Sequence, residues 1–396
     1  MSAAVATRTS GSPDNYYAPD FLVEVEGKQL DPKSRDDVVE IKVTMELDKV
    51  DSVDLKLNNY DDTTFDLKWS DADFFRLGHR VHVKLGYVDS LVSMLRGPIT
   101  TLSPEFVSDG APTLTVRAMD RLIVLRDSLP PETDVTYRKK KDWQIAKAIA
   151  DRHHLRFEHD KDDDAPVHDF VPQRNVDDLK FLMERAARID FKLFMKTDPK
   201  SGEDVLHFGK PTDGRDGTPA RTYVLAWGNL RNNTGVAPSL IEFKPTISAS
   251  EQVQSVTVRG WDTRNKKAIS VTASAPDTPG VSGKGQATGP AAAGRVGDEK
   301  DSDARKDVVV DAPVATKEEA KRLAQALLAE RAYAFLTATG KAIGLPDLRP
   351  GDNVEIHGVG KRFSGTYYVT KVVHTLNASG LLTEFTARKT YEGDKP

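Results

Sequence analysis

The stretch LRPGDNVEIHGVGKRFSGTYYVTKVVH, residues 348–374, decides whether the chain carries a phosphate-binding loop or a bend in a β-sheet. It places glycines, among them Gly358 and Gly360, beside Lys361 and Arg362. A P-loop has the form GxxxxGK followed by Ser or Thr, and it connects a strand to a helix. Here Arg362 follows the lysine, and the next segment, FSGTYYVTKVV, reads as a strand. We therefore interpret the stretch as a β-hairpin with two basic residues at its tip.

Short strands also fill the N-terminal part of the chain. FLVEVEG, VVEIKVTMEL, SVDLKLNN, RVHVKLGYV and LTVRAMD each alternate apolar and polar residues. A period of two indicates half-buried strands, and several such strands in one short region favour a small barrel or sandwich. We predict a first β-barrel domain over residues 17–128. The preceding residues 1–16 have no apolar core and are predicted to form a flexible arm.

The middle of the chain has helical periodicity instead. Asp142 is placed to cap the helix WQIAKAIADRH. A second helix follows Asn175, and its apolar residues recur at i, i+3, i+4 and i+7. The segments FKLFMK and DVLHFG, joined by TDPKSGE, predict a hairpin. We predict an inserted α+β domain over residues 129–228.

Strand patterns return after this region. Residues 273–306 are rich in Gly, Ala, Ser, Asp and Pro, and they include no aromatic residue, Leu or Ile. Such a segment buries too little apolar surface to order itself, so a long flexible loop is expected. Thr316 and Glu319 then form a capping-box pattern, which predicts a helix over 316–336. These elements belong to a second β-barrel domain, predicted over 229–392.

Two distant segments share a pattern. FRLGHRVHVKL contains Gly78 and LRPGDNVEIHG contains Gly351, each three residues before an alternating apolar pair. LTVRAMD and VTVRGWD, which end at Asp120 and Asp262, also match, but in the opposite order relative to the first pair. β-Proteins reuse strand–turn–strand patterns, so this echo has two explanations. It is either such reuse or a duplication that gives two similar barrels.

Composition excludes several classes of function. The chain of 396 residues has no cysteine, which rules out disulfides, thiolate nucleophiles and cysteine-based metal sites. Its net charge of −4 gives no global attraction to nucleic acid. No apolar run approaches the roughly 18 residues of a membrane-spanning helix. We expect no specific nucleic-acid binding and no stable membrane insertion.

Two polar segments are candidates for chemistry. DRHHLRFEHDKDDDAPVHD, residues 151–169, offers nitrogen and oxygen ligands, but it lacks the two-histidine helix spacing of metalloproteases and the pattern of an EF-hand. A solvated loop is the favoured interpretation, and metal binding stays open. YRKKKDW, residues 137–143, is more typical of a helix entry than of a nucleic-acid stripe. We predict no catalytic residue, no metal site and no cofactor.

The succession of motifs resembles the phage late control gene D family, the baseplate hub proteins of contractile tails. The motifs that carry the resemblance occur in this order: DWQIAKAIADRHHLRF, RNVDDLKFLMERAARIDFKLF, DVLHFG, VTVRGWD, KEEAKRLAQALLAERAYAF and LRPGDNVEIHGVGKRFSGTYYVTKVVHTL. The similarity covers nearly the whole chain. The family is related to the T-even phage central hub and to the N-terminal part of VgrG spikes. The resemblance implies an α+β, mainly β fold, with two similar β-barrel domains flanking an inserted α+β domain.

The resemblance also implies a function. It predicts a non-enzymatic, homotrimeric adaptor that joins the hexameric inner tube to the trimeric spike, because two similar barrels in each of three subunits present six docking sites. Since the chain stops at Pro396, the spike is expected to be a separate protein. Other baseplate proteins are further expected partners. The chain would assemble in the bacterial cytoplasm and become part of a phage tail or tail-like particle.

Four basic residues are predicted to lie at partner interfaces. Lys361 and Arg362 occupy the tip of the second-barrel hairpin, and Arg80 and Lys84 lie in the segment that follows Gly78 in the first barrel. An alternative function is a glycan-binding or peptidoglycan-degrading component of the tail tip. The sequence does not separate a phage from a bacteriocin or an injection system.

Overall fold

The computed structural model describes residues 18–126, 129, 134–162, 164–197, 203–213, 221–228, 239–281, 288–296 and 305–393. The fold is α+β and mainly β, which confirms the predicted fold class. The predicted arm, 1–16, lies outside the described residues.

The N-terminal part contains mostly strands. They are β1 (Pro19–Val25), β2 (Lys28–Gln29), β3 (Val38–Glu46), β4 (Ser52–Asn58), β5 (Tyr60–Asp61), β6 (Asp66–Leu67), β7 (Arg80–Tyr87), β8 (Ser90–Glu105) and β9 (Thr113–Met119). Two short helices accompany them, α1 (Pro32–Arg35) and α2 (Ile123–Arg126).

The middle part mixes helices with short strands. Its elements are β10 (Asp134–Lys140), α3 (Asp142–Arg152), β11 (Arg156–His159), β12 (His168–Arg174), α4 (Asp178–Ala187), β13 (Lys192–Thr197) and β14 (Asp204–Gly209). The predicted hairpin is present, because β13 and β14 pair antiparallel. Apolar faces of α3 and α4 pack with Leu193, Leu206 and Phe208 in one core.

The C-terminal part returns to strands. Its elements are β15 (Thr222–Ala226), β16 (Leu240–Ile247), β17 (Ser255–Asp262), β18 (Lys267–Ser274), α5 (Gly289–Val296), β19 (Lys306–Val309), α6 (Lys317–Tyr333), β20 (Leu336–Ile343), β21 (Asn353–His357), β22 (Gly365–Asn377) and β23 (Gly380–Lys389).

The large sheet contains the same strand pattern twice. Hydrogen-bonded neighbours follow the order β3–β4–β9–β8–β7 in the first repeat and β16–β20–β23–β22–β21 in the second. β-Bulges occur at matching places, between Val38 and Glu40 and between Ile99 and Thr101 in the first repeat, and between Leu240 and Glu242 and between Val369 and Lys371 in the second. A bulge shifts the register by one residue, so matching bulges indicate equivalent backbones.

The predicted glycine echo has a common geometry. Gly78 and Gly351 both have positive φ, 84° and 95°, which favours glycine. The N–H of Gly78 donates to the carbonyl of Ile99 at 2.8 Å, and the N–H of Gly351 donates to the carbonyl of Val369 at 2.9 Å. In return, Ile99 and Val369 each donate their N–H to the carbonyl of the residue that follows the glycine, at 2.8 Å and 2.9 Å respectively. Duplication therefore explains this echo.

The predicted equivalence of the segments that end at Asp120 and Asp262 is wrong. β9, which precedes Asp120, lies in the large sheet, whereas β17, which ends at Asp262, lies in a separate sheet with β18 and β19. The counterpart of β9 is β23, which pairs with β22 as β9 pairs with β8. Short alternating motifs recur in any half-buried strand, so the likeness of the two sequences carries no equivalence.

Residues 273–306 differ from the expected long flexible loop. The segment contains a 3₁₀ turn over Ala275–Asp277 and the helix α5, with Ala293 fully buried. Alanine and glycine permit close packing of α5 against α6, which apolar composition alone did not reveal. Residues 282–287 and 297–304 of this segment lie outside the described residues.

Two predicted helix boundaries also change. α6 ends at Tyr333 because β20 begins at Leu336, so the predicted end at 336 is too late. α3 begins at Asp142, and Lys141 takes the N-cap position predicted for the aspartate. The basic run before it is the strand β10 rather than a helix entry.

Candidate functional site

The two repeats meet edge to edge inside the chain. The C-terminal half of β22 pairs antiparallel with β3, from Lys371 opposite Glu46 to Asn377 opposite Glu40. The N–H of Leu47 extends the ladder by donating to the carbonyl of Thr370 at 3.0 Å. The Lys371 Nζ lies 3.4 Å from the Glu46 carboxylate, which adds a cross-strand ion pair. This internal junction makes the two repeats one continuous sheet.

Side chains that point from the paired strands into the core stabilise the internal junction. Val43, Val372 and His374 are fully buried there. The His374 Nδ1 lies 3.0 Å from the Thr383 Oγ1, and its Nε2 lies 3.1 Å from the Leu348 carbonyl oxygen. Burial lowers the pKa of His374 to about 3, so the ring is neutral at physiological pH.

Two polar contacts between loops hold the repeats in place. The Tyr87 hydroxyl donates to the Gly344 carbonyl at 2.9 Å, and an Nη2–H of Arg349 donates to the Ser93 carbonyl at 2.8 Å. Each joins the β7–β8 hairpin of the first repeat to the 344–352 loop of the second. The relative position of the repeats is therefore fixed by more than the junction strands.

A buried charge cluster joins the middle part to α6. The His168 Nδ1 lies 2.7 Å from the Glu319 carboxylate, and its Nε2 lies 3.0 Å from the Asp142 carboxylate. The Arg185 Nε donates to Asp142 at 2.7 Å. Burial opposes the charged imidazole, but the hydrogen bonds to Asp142 and Glu319 outweigh it and raise the pKa of His168.

The same cluster corrects the predicted capping box. Thr316 caps α6 as expected by accepting from the Glu319 N–H at 3.1 Å. The Glu319 carboxylate instead accepts from the Ala315 N–H at 2.8 Å and contacts His168. Burial raises the pKa of Glu319, but these hydrogen bonds outweigh it and lower that pKa. The glutamate is therefore a half-buried anion rather than a reciprocal cap.

The predicted interface residues occupy different surroundings. Lys361 and Arg362 lie in the loop between β21 and β22, as the hairpin prediction required. The Arg362 Nε donates to the Glu392 carboxylate at 2.6 Å, and this bond raises the pKa of Arg362. Lys361 is exposed. Their assignment to a partner interface stays a prediction.

Arg80 and Lys84 lie four residues apart on β7. Arg80 is exposed and lines a cleft of about 890 Å³ that also contains Arg96, Arg121 and Glu26. Lys84 is half-buried between β1 and β8. By the repeat, Arg80 corresponds to Asn353 in β21, so these two residues are not the counterparts of the basic hairpin tip.

The histidines of 151–169 are dispersed rather than gathered. His153 lies 2.6 Å from the Asp178 carboxylate, His159 stacks on Trp143 with ring centroids 4.3 Å apart, and His168 belongs to the buried cluster. Across the described ranges, no group of three or more His, Asp or Glu side chains has the arrangement of a metal site.

A peptidoglycan-degrading activity would depend on carboxylates such as Asp169 and Glu184, and these have structural partners or lie in solvent. Asp169 forms ion pairs with Lys139 and Arg264. Glu184 is exposed on α4.

Among the helices in the described ranges, none has both the length and the apolar composition of a membrane span.

The fold is that of phage-tail and type VI secretion proteins. A tail protein from Neisseria meningitidis MC58 matches at TM-score 0.64 with 14% identity, covering 94% of this chain and 97% of that one. The 43 kDa tail protein of prophage MuSo2 from Shewanella oneidensis matches at TM-score 0.64 with 13% identity, covering 94% and 98%. An E. coli component of the type VI secretion system, described as similar to T4 bacteriophage tail proteins, matches at TM-score 0.57 with 16% identity, covering 94% and 79%.

The chain belongs to the family described as Alg8 N-terminal domain, whose model matches residues 17–378. No curated protein matches the chain. The internal junction is the feature that sequence reasoning missed. Its signal was the Gly78–Gly351 echo, which marked the repeats but not the edge at which they join.

Proposed function

We propose that the chain is the structural hub of a contractile phage tail or tail-like injection system, as the resemblance to the late control gene D family implies. In this role it is a homotrimeric adaptor between a hexameric inner tube and a trimeric spike. The observation that carries the proposal is the internal duplication, with matching strand order, bulges and glycine geometry. Three chains would present six equivalent β units to a sixfold ring.

The internal junction suits a component that transmits axial force. A continuous hydrogen-bonded ladder, reinforced by loop contacts such as that of Arg349 with Ser93, holds the repeats as one rigid unit. A rigid unit is what a symmetry adaptor needs, because flexible repeats would not keep six docking sites in one plane.

The experiment is purification of the assembled particle through an affinity tag on this chain. The proposal expects the chain to co-purify with a tube-forming protein, a separate spike protein and other baseplate proteins. It also expects three copies of the chain per particle by quantitative mass spectrometry. Recovery of the chain without any tube or spike protein would contradict the proposal.

We also propose that the chain is not an enzyme. Asp169 is held in two ion pairs, which is a structural use of the carboxylate. The proposal would be overturned if the purified chain degraded peptidoglycan and if Asp169→Asn or Glu184→Gln abolished that activity. This result would favour the glycan-active alternative. Elemental analysis tests the metal-dependent alternative, which requires stoichiometric bound metal.

A further inference from the structure

Two edges of the large sheet have no partner strand among the described residues. β16 pairs with β20 on one side only. The outer half of β8, Thr101 to Glu105, pairs with β9 on one side only. Unpaired edges expose backbone donors and acceptors and are ready to accept another strand.

These two edges are the counterparts of the internal junction. Because the bulges of β3 and β16 lie at matching places, as do those of β8 and β22, β16 corresponds to β3, and the outer half of β8 corresponds to the C-terminal half of β22. β3 and β22 pair within the chain. We propose that β16 of one subunit docks on the outer half of β8 of the next subunit, in the register that β3 and β22 use. This inference rests on the proposed trimer and specifies its interface.

The repeat fixes the register of this contact. Lys371 corresponds to Thr101 and Glu46 to Ser248, and the remaining residues follow in order. The opposed pairs are Thr101 with Ser248, Leu102 with Ile247, Ser103 with Thr246, Pro104 with Pro245, Glu105 with Lys244, and Phe106 with Phe243.

The side chains in this register suit each other. Leu102 with Ile247 and Phe106 with Phe243 are apolar pairs, and Glu105 with Lys244 is an opposite-charge pair. Phe106 is 62% exposed in the single chain.

The side chains of β16 are less buried than their counterparts in β3. Ile41, Val43 and Met45 are buried at the internal junction, whereas their counterparts Phe243, Pro245 and Ile247 are only half-buried. A neighbouring subunit would cover this apolar surface as the first repeat covers β22.

Two prolines lie at the centre of the proposed contact. The N–H of Ser248 donates to the Phe335 carbonyl on the β20 side, so the nitrogen of Pro245, three residues earlier, faces the free edge. Pro104 corresponds to His374, whose backbone faces β3, so its nitrogen also faces the free edge. Neither proline leaves a backbone N–H unpaired, but both rings occupy the edge and oppose ladder bonds at this point with any strand, the proposed partner included. The contact lacks the two central ladder bonds, which makes it weaker than the internal junction.

The contact is head-to-tail, because each subunit offers β16 at one end and β8 at the other. Head-to-tail contacts close into a ring when the rotation per subunit allows it. Alternation of internal and intersubunit junctions would then give six sheet junctions around a threefold ring. Because each intersubunit contact is weak and the closed ring contains three of them, we expect the ring to assemble cooperatively.

The test is site-directed cross-linking, which the absence of native cysteine makes unambiguous. In the full-length chain, Glu105→Cys with Lys244→Cys places two thiols directly opposite, within the span of a disulfide. The matched control, Thr101→Cys with Lys244→Cys, places them four residues out of register, roughly 13 Å apart. Mild oxidation should link the first variant into dimers and trimers on a non-reducing gel and leave the control monomeric. A mixture of the two single-cysteine chains Glu105→Cys and Lys244→Cys should stop at dimers.

Sedimentation of the same samples separates this inference from the proposed function. A preparation that sediments as a trimer but yields equal cross-linking in both variants, or none, overturns the β16–β8 pairing and leaves the trimer standing. A chain that stays monomeric at its highest attainable concentration, alone and within the purified particle, overturns both. Circular dichroism of each variant confirms that the exposed substitutions leave the fold intact.

Discussion

The buried cluster around His168 makes Glu319→Gln the most informative single substitution. It leaves the shape of the side chain almost unchanged but removes the anion that lies 2.7 Å from the His168 Nδ1. Breaking one partner of a buried charge-assisted contact costs about 2–3 kcal/mol, at the upper end for hydrogen bonds to charged groups. At 1.4 kcal/mol per factor of ten, local opening should become about 30- to 140-fold more frequent.

Hydrogen exchange of peptides from the start of α6 and the start of α3 measures that opening. The stabilisation that the His168–Glu319 contact provides depends on pH, and the two pKa shifts give the direction. The pKa of His168 is raised, so its stabilisation is fully present below the ordinary histidine value near 6.5 and is lost as pH rises through the folded value. The pKa of Glu319 is lowered, so its stabilisation is lost as pH falls toward acid. The difference between wild type and variant should therefore be largest near pH 6 and smaller at pH 9.

Glu318→Gln is the matched control, because Glu318 lies in the same helical turn and is exposed. It should leave exchange in both peptides unchanged. The reasoning is refuted if Glu319→Gln accelerates exchange no more than the control does. It is also refuted if the acceleration is equal at pH 6 and pH 9.

Three further substitutions have defined outcomes. Gly97→Ala would place its Cβ 1.8 Å from the carbonyl oxygen of Met119, a backbone atom that cannot move aside, and chemical denaturation should show a loss of at least about 2–3 kcal/mol. Because the pKa of His374 is lowered to about 3, the unfolded chain binds a proton between pH 6.5 and 3 that the native ring does not, so stability falls as pH decreases; His374→Gln should flatten that slope in denaturation at pH 7, 5 and 4. Arg362→Ala should leave the thermal unfolding temperature unchanged, because the Arg362 side chain is exposed and its contact is an ion pair with Glu392.

The sequence predicted elements with strong periodicity and left the joining of distant edges unseen. The alternation around Val81 and Val354 and the two glycines located the repeated hairpin, because positive φ and period-two burial are local properties. The internal junction joins residues 40–46 to 371–377, and no local rule selects one free edge as the partner of another. The Asp120 and Asp262 match failed for a related reason, since a strand motif does not specify its sheet.

Side-chain roles were harder to predict than strands. Asp142 and Glu319 looked like helix-capping residues, but burial against His168 from another part of the chain turned them into a charge cluster. The order in 273–306 was missed because small residues give little apolar signal and still permit close helix packing, as Ala293 shows. The domain boundaries at 128, 228 and 392 stay predictions.

Electron cryo-microscopy of the particle purified through a tag on this chain tests the central claim most directly. The account predicts a threefold ring of this chain at the end of the tube, with six similar β units in one plane and the internal and intersubunit junctions alternating around it. A ring with six copies of the chain, or a monomeric 43.6 kDa chain located away from the tube axis, would contradict it.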